Sequence, residues 1–353
     1  EARHIARVKS GGLNVVARPA QQTERARRGI ANVLAGLGFY ETVTFTFVTR
    51  EEADAFMPAQ LSRVEVDEAR RAGAPALRPS VVPSLLECRR ANHHGGVRIE
   101  GGLRLFEAAA VMAERKPEGD GKPHETVEHR VLSLLMDVPV AAKRASDDEV
   151  QQTVRMMRGT LDAVARECLG PAARVRVVAA PPHCGAYDAG AYASIELENH
   201  GATRIIGFMG VVNTDTLTRY ELANPVVVAE VSLDPLIDAH PVLSRVTALP
   251  QFAATWRDVS FVVEEKIAWA SVEAAIASAR TQSRSAADLM ATLEGVSFVG
   301  VYRGQPLPKG QKSVTVRLHY RDPSKTMRAE DADEPTRIII EHLATAVGAT
   351  VRV

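Results

Sequence analysis

A chain of 353 residues with 46% hydrophobic side chains exceeds what one hydrophobic core usually serves, and its 43 basic against 43 acidic residues exclude a protein coated in cations for nucleic acid. Three cysteines, Cys88, Cys168 and Cys184, none in a CxxC pair, exclude a disulfide framework. No run approaches the ~18 apolar residues of a membrane span and no signal peptide opens the chain, so a cytoplasmic protein is expected.

Residues 1–21 read as the tail of a preceding domain followed by a linker. In ERARRGIANVLAGLGF, Ile30, Val33, Leu34 and Leu37 share a helical face, with Gly36 and Gly38 as terminators. ETVTFTFV then switches to a period of two, Val43, Phe45 and Phe47 alternating with Thr42, Thr44 and Thr46, and predicts a strand. VVPSLLECRRANHH reads as a second helix. LRLFEAAAVM, HRVLSLLMDV, ASIELEN and TRIIGFMGVVN read as strands of a mostly antiparallel sheet, separated by Gly, Pro and charged turns. Asp147 to Leu169 is expected to be the longest helix, with Val150, Val154, Met157, Leu161, Val164, Ala165 and Cys168 on the face that flanks the sheet.

The Pro-punctuated HPVLSRVTALPQFAATW marks a boundary near residue 248, so 22–248 and 249–353 are taken as two domains. The second reads strand (RDVSFVV), helix (WASVEAAIASA), a turn-linked strand pair (VSFVGVY and KSVTVRLHYR), helix (TRIIIEHLATAV) and strand (ATVRV), the ferredoxin-like βαββαβ order. Both helices then cover one face of a four-stranded sheet, and the opposite face is open.

From Arg303 to Arg328 the chain carries Arg303, Lys309, Lys312, Arg317, Arg321, Lys325 and Arg328 against Asp322 alone. In the strand from Gln311, Val314, Val316, Leu318 and Tyr320 take the packed parity, while Ser313, Thr315, Arg317 and His319 take the other. A solvated strand guarded by charge is the plain reading of the basic run. On an open face, contact with the phosphates of a folded RNA is the functional one, with Lys309 and Lys312 at the strand's entrance and Arg317, His319 and Arg321 exposed. Because Tyr320 is on the packed parity, no aromatic is placed among these cations and base stacking is not expected. Glu330, Asp331, Asp333 and Glu334 fall at the start of the last helix, where carboxylates complement its dipole.

WRDVSFVVEE, VYRGQPLPKGQKSVTVRLHYRDPSKTMRAED and GATVRV resemble the ferredoxin-like anticodon-binding domain of the bacterial phenylalanyl-tRNA synthetase beta subunit. GLGFYETVTFTFV, PALRPSVVPSLLECRRAN and LRLFEAAAVM resemble that family's central domain, a catalytically silent relative of the class II synthetase fold. Residues 115–245 match only in order and pattern, and Val299 and Gly300 stand where the family usually has Phe-Asp. The resemblance implies an α+β protein: an antiparallel class II-like domain followed by the ferredoxin-like domain. It implies a catalytic alpha subunit as partner in an α2β2 heterotetramer, tRNA(Phe) as ligand, and phenylalanine–tRNA ligase activity in the complex, this chain alone being inactive. ATP and magnesium then belong to the holoenzyme, with no cofactor bound here. An acidic pair that aids magnesium binding in the family would fall near Arg3 and His4, so no metal ligand is assigned.

The residues themselves agree with a silent domain. Adenylate formation needs an arginine on the α-phosphate and a glycine-rich strand ending in a second arginine. LRLFEAAAVM lacks an Arg-x-Glu triplet, and GATRIIGFMG has no arginine after its glycines, so a plain strand is expected there. Cys88 with His93 and His94, or His183 with Cys184, lack a second cluster to complete a zinc site. A nucleophilic pair at His183 and Cys184 runs against the opposite orientation of adjacent strand residues. Candidate RNA contacts are Arg303, Lys309, Lys312, Arg317, His319, Arg321, Lys325 and Arg328. Arg78 and Glu107 are candidates for a subunit contact or a structural support, and both remain open. Two other readings stand beside the synthetase subunit: a free-standing RNA-binding paralogue that lost its alpha partner, and a metal- or cysteine-dependent hydrolase.

Overall fold

The computed structural model describes residues 22–67, 69, 71–97, 99–115, 125–140, 145–199, 201–238, 240, 249–279 and 291–351. Two compact units divide the chain, residues 1–244 and 245–353. The expected linker at 1–21 and the expected boundary near 248 lie outside the described residues.

The first unit is built on an eight-stranded sheet. Its elements are α1 (Gln22–Gly36), β1 (Tyr40–Glu41), β2 (Phe47–Val48), α2 (Arg50–Ala55), β3 (Leu61–Ser62), β4 (Ala76–Leu77), α3 (Val82–His94), β5 (Arg104–Arg115) and β6 (Glu125–Asp137). There follow α4 (Asp147–Leu169), β7 (Arg174–Ala179), β8 (Tyr187–Asn199), β9 (Ala202–Val212), α5 (Thr214–Arg219), β10 (Val226–Ser232) and α6 (Asp234–Ile237). The strand order is β1-β5-β6-β10-β9-β8-β7, with β3 paired to β5; β1 runs parallel to β5 and the other pairs are antiparallel.

Helix α4 has the bounds its periodicity predicts. Ser146 caps it reciprocally: its hydroxyl accepts from the Glu149 amide while Glu149 accepts from the Ser146 amide at 2.7 Å. The buried stripe Met157, Leu161, Val164 and Cys168 packs with Ile30 and Leu34 of α1 against Leu132, Leu134, Val227 and Ala229. On the other sheet face, Val82, Leu85 and Leu86 of α3 pack with Leu135, Val226, Val228 and Tyr187. Strand β10 is therefore buried on both sides, which explains its unbroken VVVA run, each buried valine contributing about 1.5–3 kcal/mol.

One expected strand is broken. The alternation in ETVTFTFV predicts a continuous strand, yet only its first residue and last two lie in strands β1 and β2. Between them the hydroxyls of Thr42 and Thr44 turn toward the buried carboxylate of Glu107, at 3.3 and 2.7 Å, and Val43 and Phe45 are left 93% and 83% exposed. A buried carboxylate must be hydrogen-bonded, and meeting that need overrides the local preference to bury Val and Phe.

The second unit has the ferredoxin-like order: β11 (Thr255–Glu264), α7 (Trp269–Ala279), β12 (Leu293–Tyr302), β13 (Gln311–Tyr320), a 3-10 turn (Ala329–Ala332), α8 (Asp333–Val347) and β14 (Thr350–Val351). The sheet runs β12-β13-β11-β14, all antiparallel. Val259, Phe261 and Val263 join Val314, Val316, Leu318 and Tyr320 beneath Val272, Ile276, Ile339 and Leu343 of the helices. The Tyr320 hydroxyl, buried, bonds Thr336 at 2.9 Å. Residues of the opposite parity form the uncovered face.

Candidate nucleic-acid interface

Strand register lays the uncovered face out in rows across β12, β13 and β11. Gly295, His319 and Trp256 form one row; Ser297, Arg317 and Asp258 the next; Gly300, Thr315 and Ser260 a third; and Tyr302, Ser313 and Val262 a fourth, in which Ser313 is buried. Arg317 donates from Nε and Nη2 to the two carboxylate oxygens of Asp258, both at 2.7 Å, and its guanidinium lies 5.7 Å from the Trp256 ring centre. His319 bonds the Ser297 hydroxyl at 3.0 Å, and Ser260 bonds Thr315 at 2.8 Å. The fork of Arg317 holds the Asp258 carboxyl below the usual carboxylate range.

The linear run of cations does not become a spatial one. Strand β13 is ten residues long, about 30 Å at ~3.3 Å per residue, and it separates Arg303 and Lys309 at one end from Arg321, Lys325 and Arg328 at the other. Arg303 forks onto Glu265 with contacts of 2.7–3.0 Å and lowers its pKa. Arg321 meets Glu294 at 3.0 Å and the Phe252 carbonyl at 2.6 Å. Lys325 lies 4.0 Å from Asp331, and the backbone N–H of Arg328 donates to the same carboxylate at 2.8 Å. Lys309 is exposed.

Two sequence expectations are corrected here. Lys312 shares parity with Val314 and stands opposite Val263, on the helix-covered side; its side chain is 13% exposed and its ammonium donates to the Glu265 carbonyl at 2.7 Å. Burial lowers its pKa. The expectation that the open face lacks aromatics also fails: Trp256, on a central strand, is 56% exposed there, and Tyr302 on β12 is 47% exposed. The signal for Trp256 was in the sequence, since it falls on the parity opposite to Val259, Phe261 and Val263.

In the first unit, Arg78 and Glu107 form an ion pair of 2.9 Å with side chains 3% and 5% exposed. Arg78 also donates to Thr44 Oγ1 at 2.7 Å and to the Ala110 carbonyl at 3.3 Å, so its guanidinium is spent on holding the Thr42–Thr46 run to β5. Gly207 and Gly210 of β9 serve close packing. A Cβ on Gly207 would lie 2.1 Å from the Glu230 carbonyl, and one on Gly210 would lie 2.9 Å from the Tyr192 ring. Glu230, unremarked in the sequence, accepts from Ser133 Oγ at 2.6 Å, the Val81 amide at 2.8 Å and Ser80 Oγ at 3.1 Å, tying the start of α3 to β10. Burial raises its pKa.

The histidine and cysteine pairs find ordinary company. His183 packs among Tyr187, Tyr192 and Phe208 with ring centres 4.5–5.8 Å apart, and burial lowers its pKa to about 4. Burial pushes the neighbouring Cys184 thiol up, away from thiolate chemistry. Cys88 accepts from its own helix neighbour Asn92, and His94 faces Glu221 at 3.3 Å. Among the described residues, no three His, Cys, Asp or Glu side chains are grouped to hold a metal.

Comparison with known proteins matches two family models in tandem: the phenylalanyl-tRNA synthetase beta chain CLM domain over residues 12–233 and the ferredoxin-fold anticodon-binding domain over 250–352. The first alone spans more than half of the chain. The chain belongs to the phenylalanyl-tRNA synthetase beta chain family. A phenylalanine–tRNA ligase beta subunit from Anaeromyxobacter dehalogenans is 28% identical over 94% of this chain and 38% of its own length. Those of Leifsonia xyli and Geobacillus kaustophilus are 27% and 24% identical over 96% and 99% of this chain. This beta-chain sequence spans about two fifths of such relatives, 37–40% of their length. Among solved structures, a pyrrolysyl-tRNA synthetase from Desulfitobacterium hafniense aligns over 61% of this chain and 65% of its own, with 13% identity and a TM-score of 0.43.

Proposed function

We propose that this chain acts as a noncatalytic, tRNA-binding part of a phenylalanine–tRNA ligase beta subunit, supporting ATP-dependent attachment of phenylalanine to tRNA(Phe) by a separate alpha subunit in an α2β2 complex in the cytoplasm. The tandem match to the beta-chain core and to the anticodon-binding domain carries this reading. The first unit would be a class II synthetase-like domain that has lost adenylate chemistry. Supporting this, the guanidinium of Arg78 is locked inside onto Glu107 and cannot reach a phosphate, and Gly207 and Gly210 are consumed by strand packing. ATP and magnesium would be handled by the alpha subunit. Exposed Val43 and Phe45, with Tyr40 at 56%, supply an apolar surface of the kind a partner chain covers.

Co-expression with an alpha chain bearing the catalytic signatures tests the proposal. Copurification, and tRNA(Phe) charging only in the mixture, is expected. Charging by this chain alone would overturn it, and RNA binding with no retention of the alpha chain would support a free-standing paralogue.

A further inference from the structure

Resting on the reading of the second unit as an RNA binder, we propose that Trp256, with the guanidinium of Arg317 over its ring and Asp258 holding that guanidinium, is a stacking platform for one unpaired nucleobase. A tryptophan that leaves 56% of its surface in water on a central strand is an apolar area awaiting a cover. What surrounds it selects the cover. Its neighbours across the face are His319, Arg317, Asp258 and Gly295, polar or without a side chain, where a protein anchor pocket would present an apolar ring.

Charge points the same way. Asp258, Glu265 and Glu294 each meet an arginine and Glu264 meets Lys266, so the surface has little surplus field for phosphate alone. A nucleobase brings a π-face for the ring and hydrogen-bonding edges for the His319–Ser297 and Ser260–Thr315 pairs beside it. Room exists as well: a Cβ built on Gly295 or Gly300 meets nothing within 4 Å, so β12 leaves the face low where a flat ring would lie. Arg317 stacks a cation on the indole while its fork onto Asp258 keeps it from swinging away, which orders the platform before the base arrives.

The chain has two tryptophans. The other, Trp269, packs edge-on against Phe298 with ring centres 5.2 Å apart, so Trp269→Phe leaves Trp256 as the sole indole reporter. In that background the full chain is titrated with a tRNA(Phe) transcript and, separately, with a five-nucleotide single-stranded oligoribonucleotide, following indole fluorescence; affinities are also measured for Trp256→Ala and Trp256→Phe. The platform predicts quenching by both RNAs, binding about 5- to 100-fold weaker in Trp256→Ala with an unchanged salt slope, and partial rescue in Trp256→Phe. Binding of tRNA without quenching, and undiminished in Trp256→Ala, overturns the platform and leaves the tRNA reading standing. Quenching by the oligonucleotide with no tRNA binding does the reverse. Absence of any RNA effect, with Trp256→Ala instead weakening a protein partner, overturns both.

Discussion

Two arginine–carboxylate pairs of nearly the same length serve opposite ends. Arg78–Glu107 in the first unit spans 2.9 Å with side chains 3% and 5% exposed, whereas Arg317–Asp258 in the second spans 2.7 Å at 39% and 43%. The buried pair cannot lose one member without stranding the other in a medium that solvates ions poorly, so it fixes a loop. The exposed pair adds little to the stability of the fold, so it can hold a guanidinium in place on a surface without being needed for folding. Distance does not distinguish them; solvent does.

The sharpest break in that comparison is Glu107→Ala, which should destabilise the first unit by about 3–5 kcal/mol by leaving Arg78 uncompensated, while a paired Arg78→Met/Glu107→Leu replacement recovers much of the loss. Urea unfolding of single and double variants checks it, and equal losses in both would show that the charge is irrelevant. Next is pH. The unfolded His183 ring takes a proton near 6.5 and the folded one only near 4, so the unfolded state binds more protons across that window and stability falls as pH is lowered through it. At most about 3 kcal/mol is at stake, and His183→Gln should flatten the dependence of unfolding midpoints between pH 7 and 4. In the second unit, Asp258→Asn should leave the unfolding midpoint nearly unchanged but free Arg317 from its place over the Trp256 ring, so that RNA quenching of the indole and tRNA affinity both fall several-fold, read in one fluorescence titration. The smallest effect is reserved for Val43→Ser with Phe45→Ser: within about 0.5 kcal/mol in stability, since neither side chain is buried, but with weaker retention of an alpha chain in co-purification.

Local patterns made much of the fold legible. Periodicity set the bounds of α4, alternation set the packed parity of β13, and element order gave the split βαβ arrangement. What the sequence hid was decided by residues far away along the chain. Thr44 turns inward because Glu107 lies 63 residues on, and that carboxylate is buried only once β5 pairs with β6. The basic run looked like an uncompensated field because Asp258, Glu265 and Glu294 belong to other strands or turns; only pairing across the sheet brings them to Arg317, Arg303 and Arg321. Lys312 and Trp256 differ: the alternation that puts Tyr320 inside also puts Lys312 on the packed parity of β13, and in β11 it sets Trp256 on the parity opposite to Val259, Phe261 and Val263.

The inverted Thr42–Val48 stretch also bears on how the chain behaves at high concentration. TVTFTFV is seven residues of β-branched and aromatic side chains with no charge and no proline, the composition from which intermolecular strands assemble. With its threonines tethered inward and Val43 and Phe45 presented to water, the segment offers an adhesive strip with no gatekeeping charge inside it. An uncovered strip of this composition favours self-association of the chain as its concentration rises, and on the proposed function an alpha chain seated on it would suppress that association.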